Sequence, residues 1–210
     1  MAPNISASPG RRARNKQDKA LRLRAAAREL FVERGYDQAT TREIALRAGI
    51  GMGTLFTYAH DKRDLLFLIV NDELEALAAA GFGGVDPALP APAQIAALFG
   101  GFFAFFAQQP DLARFILREQ TFFDSAPQAR RFLAARGLLL DQVAARLARW
   151  QAEGVVRATI DAQAAARAIV ALFAAVVRDC FAEPRPDIAA GVARLRELVA
   201  LLFDGIGETA

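Results

Sequence analysis

A single cysteine, a single histidine and two tyrosines among 210 residues leave few groups for nucleophilic, redox or metal chemistry. One thiol, Cys180, excludes an internal disulfide and fits a reducing cytoplasm. His60 has no cysteine or carboxylate partners at ligand spacing. It therefore reads as an exposed loop residue or a phosphate contact, not a metal ligand. No Gly-rich phosphate loop is present, so nothing assembles into an enzyme active site and no cofactor is expected. The longest unbroken apolar run, Ile95 to Ala107, is too short to span a bilayer and reads as a buried helix. Met1 to Lys16 carries basic residues with no apolar stretch after them, which is not a secretory signal. Period-two alternation with hairpin turns is also missing, so the expected fold class is all-α.

What the chain does have is apolar material and an uneven charge. It is 54% hydrophobic with 16 phenylalanines, ample for a buried core. The first 63 residues hold thirteen Lys and Arg against six Asp and Glu, a net +7, and the remainder carries −4. A basic head on an acidic body suits a polyanion-binding module. Residues 1–15 contain Pro, Ser and Arg without apolar periodicity and are expected to form a mobile basic arm. That arm either touches phosphates or a minor groove or is a solubilising tail.

From Lys16 to Arg34 the spacing places Ala20, Leu23, Ala27, Leu30 and Phe31 on one helical stripe, with Gly35 as its stop. Thr40 with Glu43 three places on forms a capping box, so a helix starts near Thr41. Gly49 ends it and Ile50 plugs the turn. A second short helix, roughly Met52 to Tyr58, has Leu55 as its inward anchor. Two short helices around a Gly-containing turn match a helix-turn-helix unit, whose second helix enters a DNA major groove. Met52, Gly53, Thr54, Thr57 and Tyr58 face away from the anchor and, with Gly51 before them, are candidates for DNA contact. Thr57 suits a base edge; Thr41, Arg42, Tyr58 and Lys62 suit phosphates. Phe56 is expected to pack into the core. Asp61 caps the next helix, which runs to about Ala80.

The stretch TTREIALRAGI followed by GTLFTYAHDKRDLL resembles the DNA-binding domain of tetracycline-repressor-like (TetR family) transcriptional regulators. The family pattern is a threonine-led REIA helix, then GTLYYHF, then a lysine and a Leu-Leu pair. Gly53, Thr54, Leu55, Lys62, Leu65 and Leu66 fit it. Phe56 and Thr57 stand in place of two tyrosines, Tyr58 in place of the histidine and Ala59 in place of the phenylalanine. Gly51 replaces the usual Ser or Thr at the start of the recognition helix. The resemblance covers about Asp18 to Val70. It implies DNA-contacting positions at Thr41, Met52, Gly53, Thr57, Tyr58 and Lys62, a homodimer, and a body that binds a small effector, often apolar.

The expected division is therefore an arm over 1–15, a head over 16–62, a connecting helix over 63–80 and a body over 81–210. The body's phenylalanines are either core filling or the lining of an apolar chamber. The chamber candidates are Phe102, Phe103, Phe106, Phe122, Phe123 and Phe173, with Arg118, Gln120 and Arg178 as polar contacts. In the last two helices, Ile169, Phe173 and Val177 on one and Val192, Leu195, Val199 and Leu202 on the other form apolar seams. These either make a four-helix dimer interface or pack within the subunit. The resulting expectation is a cytoplasmic homodimeric repressor, with double-stranded operator DNA and a small hydrophobic effector as partners and no membrane association. The alternative is a helical carrier of hydrophobic small molecules.

Overall fold

A computed structural model describes residues 10–120 and 126–206. Among these residues the chain forms nine α-helices and a short 3-10 turn, with no strand. It divides into two compact units.

The first unit comprises residues 10–69 with Ala126–Gln128. Helix α1 (Arg11–Arg34) packs on α2 (Thr41–Arg47), which packs on α3 (Met52–Leu55). Leu23, Leu30, Phe31, Ile44 and Leu55 are buried together with Leu65 and Leu66 from the start of α4 (Lys62–Ala80). Arg24 Nε donates to the Leu68 carbonyl at 2.8 Å, holding α1 against α4. The expected arm is shortened by α1, which begins at Arg11. Past Pro9 and Gly10 the residues are Arg, Ala, Asn, Lys and Gln, mostly good helix formers, so nothing stops the helix earlier. Residues 1–9 of that arm lie outside the described residues.

Helix α2 ends in a Schellman turn: Ile50 N–H reaches Ala45 O and Gly49 N–H reaches Leu46 O, each at 3.1 Å. Gly49 has φ +63, a conformation that a side chain disfavours. Helix α3 is shorter than expected. After Leu55 the chain tightens into i to i+3 bonds, Thr57 N–H to Thr54 O and Tyr58 N–H to Leu55 O.

The second unit holds the rest of α4, the 3-10 turn Gly81–Gly84, α5 (Ala91–Ala107), α6 (Pro110–Glu119), most of α7 (Pro127–Ala152), α8 (Ala162–Ala182) and α9 (Ile188–Ile206). At the end of α4, Gln142 Nε2 donates to the Ala78 carbonyl at 2.6 Å. A Cβ on Gly81 would lie 1.5 Å from the Gln142 amide oxygen, and Gly81 itself has φ +48. Helices α5 and α6 meet at a bend of 115°. Arg114 of α6 clamps the end of α8, its guanidinium donating to the carbonyls of Phe181, Glu183 and Pro184 at 2.9–3.0 Å.

Helix α5 is the centre of this unit, packed against α6 and α9. That explains its run of aromatics: Phe99 and Phe103 are fully buried, and Phe102 and Phe106 nearly so. Phe173 of α8 stacks on Phe99 at 4.2 Å and meets Phe103 edge-on at 5.8 Å. Among the described residues no single helix is long and apolar enough to cross a membrane.

The apolar seams of α8 and α9 need correcting as dimer contacts. Ile169, Phe173, Val177, Leu195 and Val199 are buried within the single chain, because α9 lies against α5 as well as α8. Only Val192 and Leu202 of the seven are half-exposed. The outward faces carry other residues: Ala164, Arg167, Ala168 and Ala171 on α8, and Ala189, Arg196 and Leu201 on α9.

Gly191 of α9 marks where three helices meet. A Cβ there would stand 2.9 Å from the Phe103 ring and 3.0 Å from Cys180 Sγ. Because Phe103 is fully buried it cannot turn aside. Gly191→Ala should therefore lower unfolding free energy by about 1–3 kcal/mol, the range for overpacking a core. Denaturant unfolding measures this, and an unchanged or raised stability would contradict the packing.

Candidate functional site

Two places stand out, one in each unit. In the head, the start of α2 is built by the capping box. Glu43 N–H donates to Thr40 Oγ1 at 3.2 Å, and Thr40 N–H donates to Glu43 Oε2 at 3.1 Å. Arg34 also donates to Glu43. The Thr40 hydrogen bonds, helped by the Arg34 charge, hold the Glu43 carboxyl below its ordinary range. This fixes Thr41 and Arg42 at an open helix start, with the Arg42 guanidinium exposed and in no ion pair with a described residue.

Leu55 is the one buried side chain of α3 and therefore sets which residues face out. Gly51, Gly53 and Thr57 are exposed, and Met52, Thr54 and Tyr58 are partly so. A Cβ at Gly53 would meet nothing within 4 Å, so packing does not demand glycine there. Its bareness instead leaves room for another surface to approach. Thr57 Oγ1 donates to Thr54 O at 2.7 Å, leaving its lone pairs to accept and its methyl exposed. Phe56, expected in the core, is 48% exposed. The helix buries one position per turn, and Leu55 has taken it.

Two expected phosphate contacts already have partners within the head. Tyr58 donates its hydroxyl proton to Lys16 O at 2.9 Å, and its carbonyl accepts from Gln128 Nε2 at 3.0 Å. Lys62 Nζ donates to Asp37 O at 3.1 Å and lies 4.7 Å from the Tyr36 ring centroid. An ammonium has three protons, so Lys62 keeps donors to offer, while the Tyr58 hydroxyl does not. Asp61 Oδ1 accepts Asp64 N–H at 2.7 Å as the cap of α4. Buried Asp64 accepts the N–H groups of His60 and Gln128 at 2.9 and 2.8 Å. His60 itself is exposed, so its backbone rather than its ring is engaged.

In the body an apolar pocket lies among α4, α5, α6, α7 and α8. The empty space between its walls, open solvent at the mouth included, is about 570 Å³. Phe102, Phe106 and Phe173 line it, as the sequence suggested. Phe103 does not, being fully buried in the core. Arg118 pairs with Glu119 at 2.9 Å and lies over the Phe115 ring, and neither it nor Arg178 lines the pocket. Phe122 and Phe123 lie outside the described residues. Gln120 and Arg136 are the polar lining groups among the described residues. Sequence reasoning missed the wall from α7, Phe132, Ala135 and Leu139, although their spacing of three and four residues is a helical stripe. It also missed Leu74, Leu117, Val170 and Arg136.

Residues 23–69 match the family described as "Bacterial regulatory proteins, tetR family". An HTH-type transcriptional regulator of Staphylococcus aureus (strain bovine RF122 / ET3-1) is 40% identical over 53 residues, 25% of this chain. The matched stretch spans 29% of that relative's length, as it does for the other S. aureus relatives. Among solved structures, the fold resembles Thermus thermophilus FadR, a TetR-family transcriptional repressor in complex with lauroyl-CoA. The TM-score is 0.66 and the identity 25%, over 91% of this chain and 97% of that one. Bacillus subtilis FadR in complex with stearoyl-CoA is similar in fold, with TM-score 0.67 and 19% identity over 85% and 96% of the two chains. These relatives and neighbours are transcriptional regulators.

Thr40→Ala should cost about 1 kcal/mol of unfolding free energy at neutral pH, as loss of a helix cap does. Glu43 titrates lower in the folded chain than in the unfolded one. Its contribution is thus full above the unfolded carboxylate value of about 4.3 and fades as pH falls through the lower folded value. Unfolding curves across that range should show the gap between wild type and variant narrowing on acidification. A gap that widened would contradict the capping box.

Proposed function

We infer that this chain, which resembles tetR-family regulators in its head and in its fold, acts as one. We read it as a homodimeric repressor whose heads bind a palindromic operator and whose body takes a small effector bearing an acyl chain. The observation that carries the reading is the pairing of an outward-facing helix-turn-helix surface with a separate apolar chamber in one chain. In the head, Gly51, Met52, Gly53, Thr54, Phe56 and Thr57 enter the major groove. Thr57 reads by its acceptor lone pairs and methyl, and Phe56 by apolar contact with a thymine methyl. Thr41, Arg42 and the remaining protons of Lys62 contact phosphates, while Tyr58 positions the recognition helix. The α1 extension adds Arg11, Arg12 and Arg14 to the positive field.

Two heads reading a palindrome sit about 34–36 Å apart, or a multiple of that. The dimer forms through the small-residue outward faces of α8 and α9, where alanines permit close helix approach. An effector chain fills the chamber and moves α4, one of its walls. It shifts the DNA equilibrium only by binding the two states unequally, by about 1–3 kcal/mol in typical cases. The FadR neighbours with lauroyl-CoA and stearoyl-CoA support an acyl ligand, as does an aromatic and aliphatic lining.

The test is selection of bound duplexes from a random pool, then gel shift of the selected site with saturated acyl compounds of increasing length. The expected result is a palindromic site whose affinity falls with salt, with a log–log slope of about −0.9 per phosphate contact. Release by acyl compounds should sharpen by about tenfold or more for each two carbons until the chamber is full, since a buried methylene is worth about 0.8 kcal/mol. A protein that binds acyl chains but no duplex at low salt would instead be a carrier. Separately, Ala171→Arg, an exposed site on α8, should sediment at the monomer mass and lose the palindrome. A variant that remained dimeric would put the interface elsewhere.

A further inference from the structure

We propose that Arg136 holds an anionic head group at the mouth of the chamber, so that the pocket selects charged chain-bearing ligands over neutral ones. This rests on the reading of the chamber as an acyl site. The lining is aliphatic and aromatic apart from Gln120 and Arg136. Arg136 follows buried Ala135 and lies about one turn from Phe132 and Leu139, and it is the exposed residue of that lining stretch.

Other arginines around it are already neutralised. Arg131, five residues earlier on α7, donates to Asp72 at 2.7 Å and to both carboxylate oxygens of Glu75 at 2.6–2.7 Å. Arg118 is on Glu119. Arg136 is in no ion pair with a described residue and is exposed, so it gives up no carboxylate when a ligand arrives. A guanidinium offers a planar fork matched to carboxylate or phosphate oxygens. A chain in the chamber would bring its head to that fork, with the Gln120 amide able to donate to the same oxygens.

Calorimetric titration of the full chain with dodecanoate, lauroyl-CoA, dodecanol and free CoA tests this in wild type, Arg136→Gln, Arg136→Lys and Arg118→Gln. Wild type should bind dodecanoate, lauroyl-CoA or both about tenfold or more tighter than dodecanol, the size of one charge-assisted contact. A preference for dodecanoate assigns a carboxylate head, and a preference for lauroyl-CoA alone assigns phosphate. Arg136→Gln should erase the preference while dodecanol affinity stays put. Arg136→Lys should retain part of it, and Arg118→Gln all of it. Equal binding of the chain-bearing probes to wild type would overturn the proposal. So would an Arg136→Gln variant that keeps the preference or weakens every probe alike. If no chain-bearing probe binds, or free CoA binds as tightly as lauroyl-CoA, the acyl reading of the chamber fails and the proposal falls with it.

Discussion

The head depends on how one short helix is held. Four residues cannot form a stable helix alone, because nucleation costs more than one turn of hydrogen bonds returns. Helix α3 has no side-chain cap, so its position comes from outside. Leu55 is fully buried, and α3 packs on α2. The Schellman turn at Gly49 sets the angle of entry, and Tyr58 is tied at its hydroxyl to α1 and at its carbonyl to Gln128. Everything else near the helix is thereby free to face outward. A surface that must meet another molecule leaves its own side chains uncommitted and borrows its rigidity from neighbours.

The body solves a different problem. A helix apolar all round, such as α5, has to be covered on every side, and α6, α8 and α9 do most of the covering. Phe173 joins the stacked cluster and also faces the chamber, so the wall of the pocket is continuous with the core. A wall of that kind is stiff, since close-packed interiors leave little room for adjustment. The shape of the chamber is therefore set by the core packing behind it.

Much of this was legible in the residues. Thr40 with Glu43, Gly49, Asp61 and the Leu55 anchor each have a local physical meaning, and each occupies the role its chemistry implies. Phe56 was misread because an aromatic beside an anchor looks like core, and only the helix's early end shows that it faces out. The seams of α8 and α9 show the limit of periodicity. A stripe spaced by fours and threes says that a face is buried, not what buries it, and Leu195 and Val199 are buried within their own chain, where α9 lies against both α5 and α8. Arg136 gave no signal at all. One arginine on a long helix is the commonest of surface features, and it gains meaning only from the apolar wall folded around it.

The end of α4 carries one more consequence. Its Ala78 carbonyl accepts from Gln142 of another helix, and Gly81 is bare where that amide sits. A helix fastened so resists sliding along its axis, because a shift of one residue would strand the cap. It resists tilting far less. With about 1.5 Å of rise per residue, Val70 lies about 12 Å along the same helix from the fastened Ala78, so each degree of tilt sweeps roughly 0.2 Å there. The fastening thus fixes the height of the helix in the body and leaves its angle the softer coordinate.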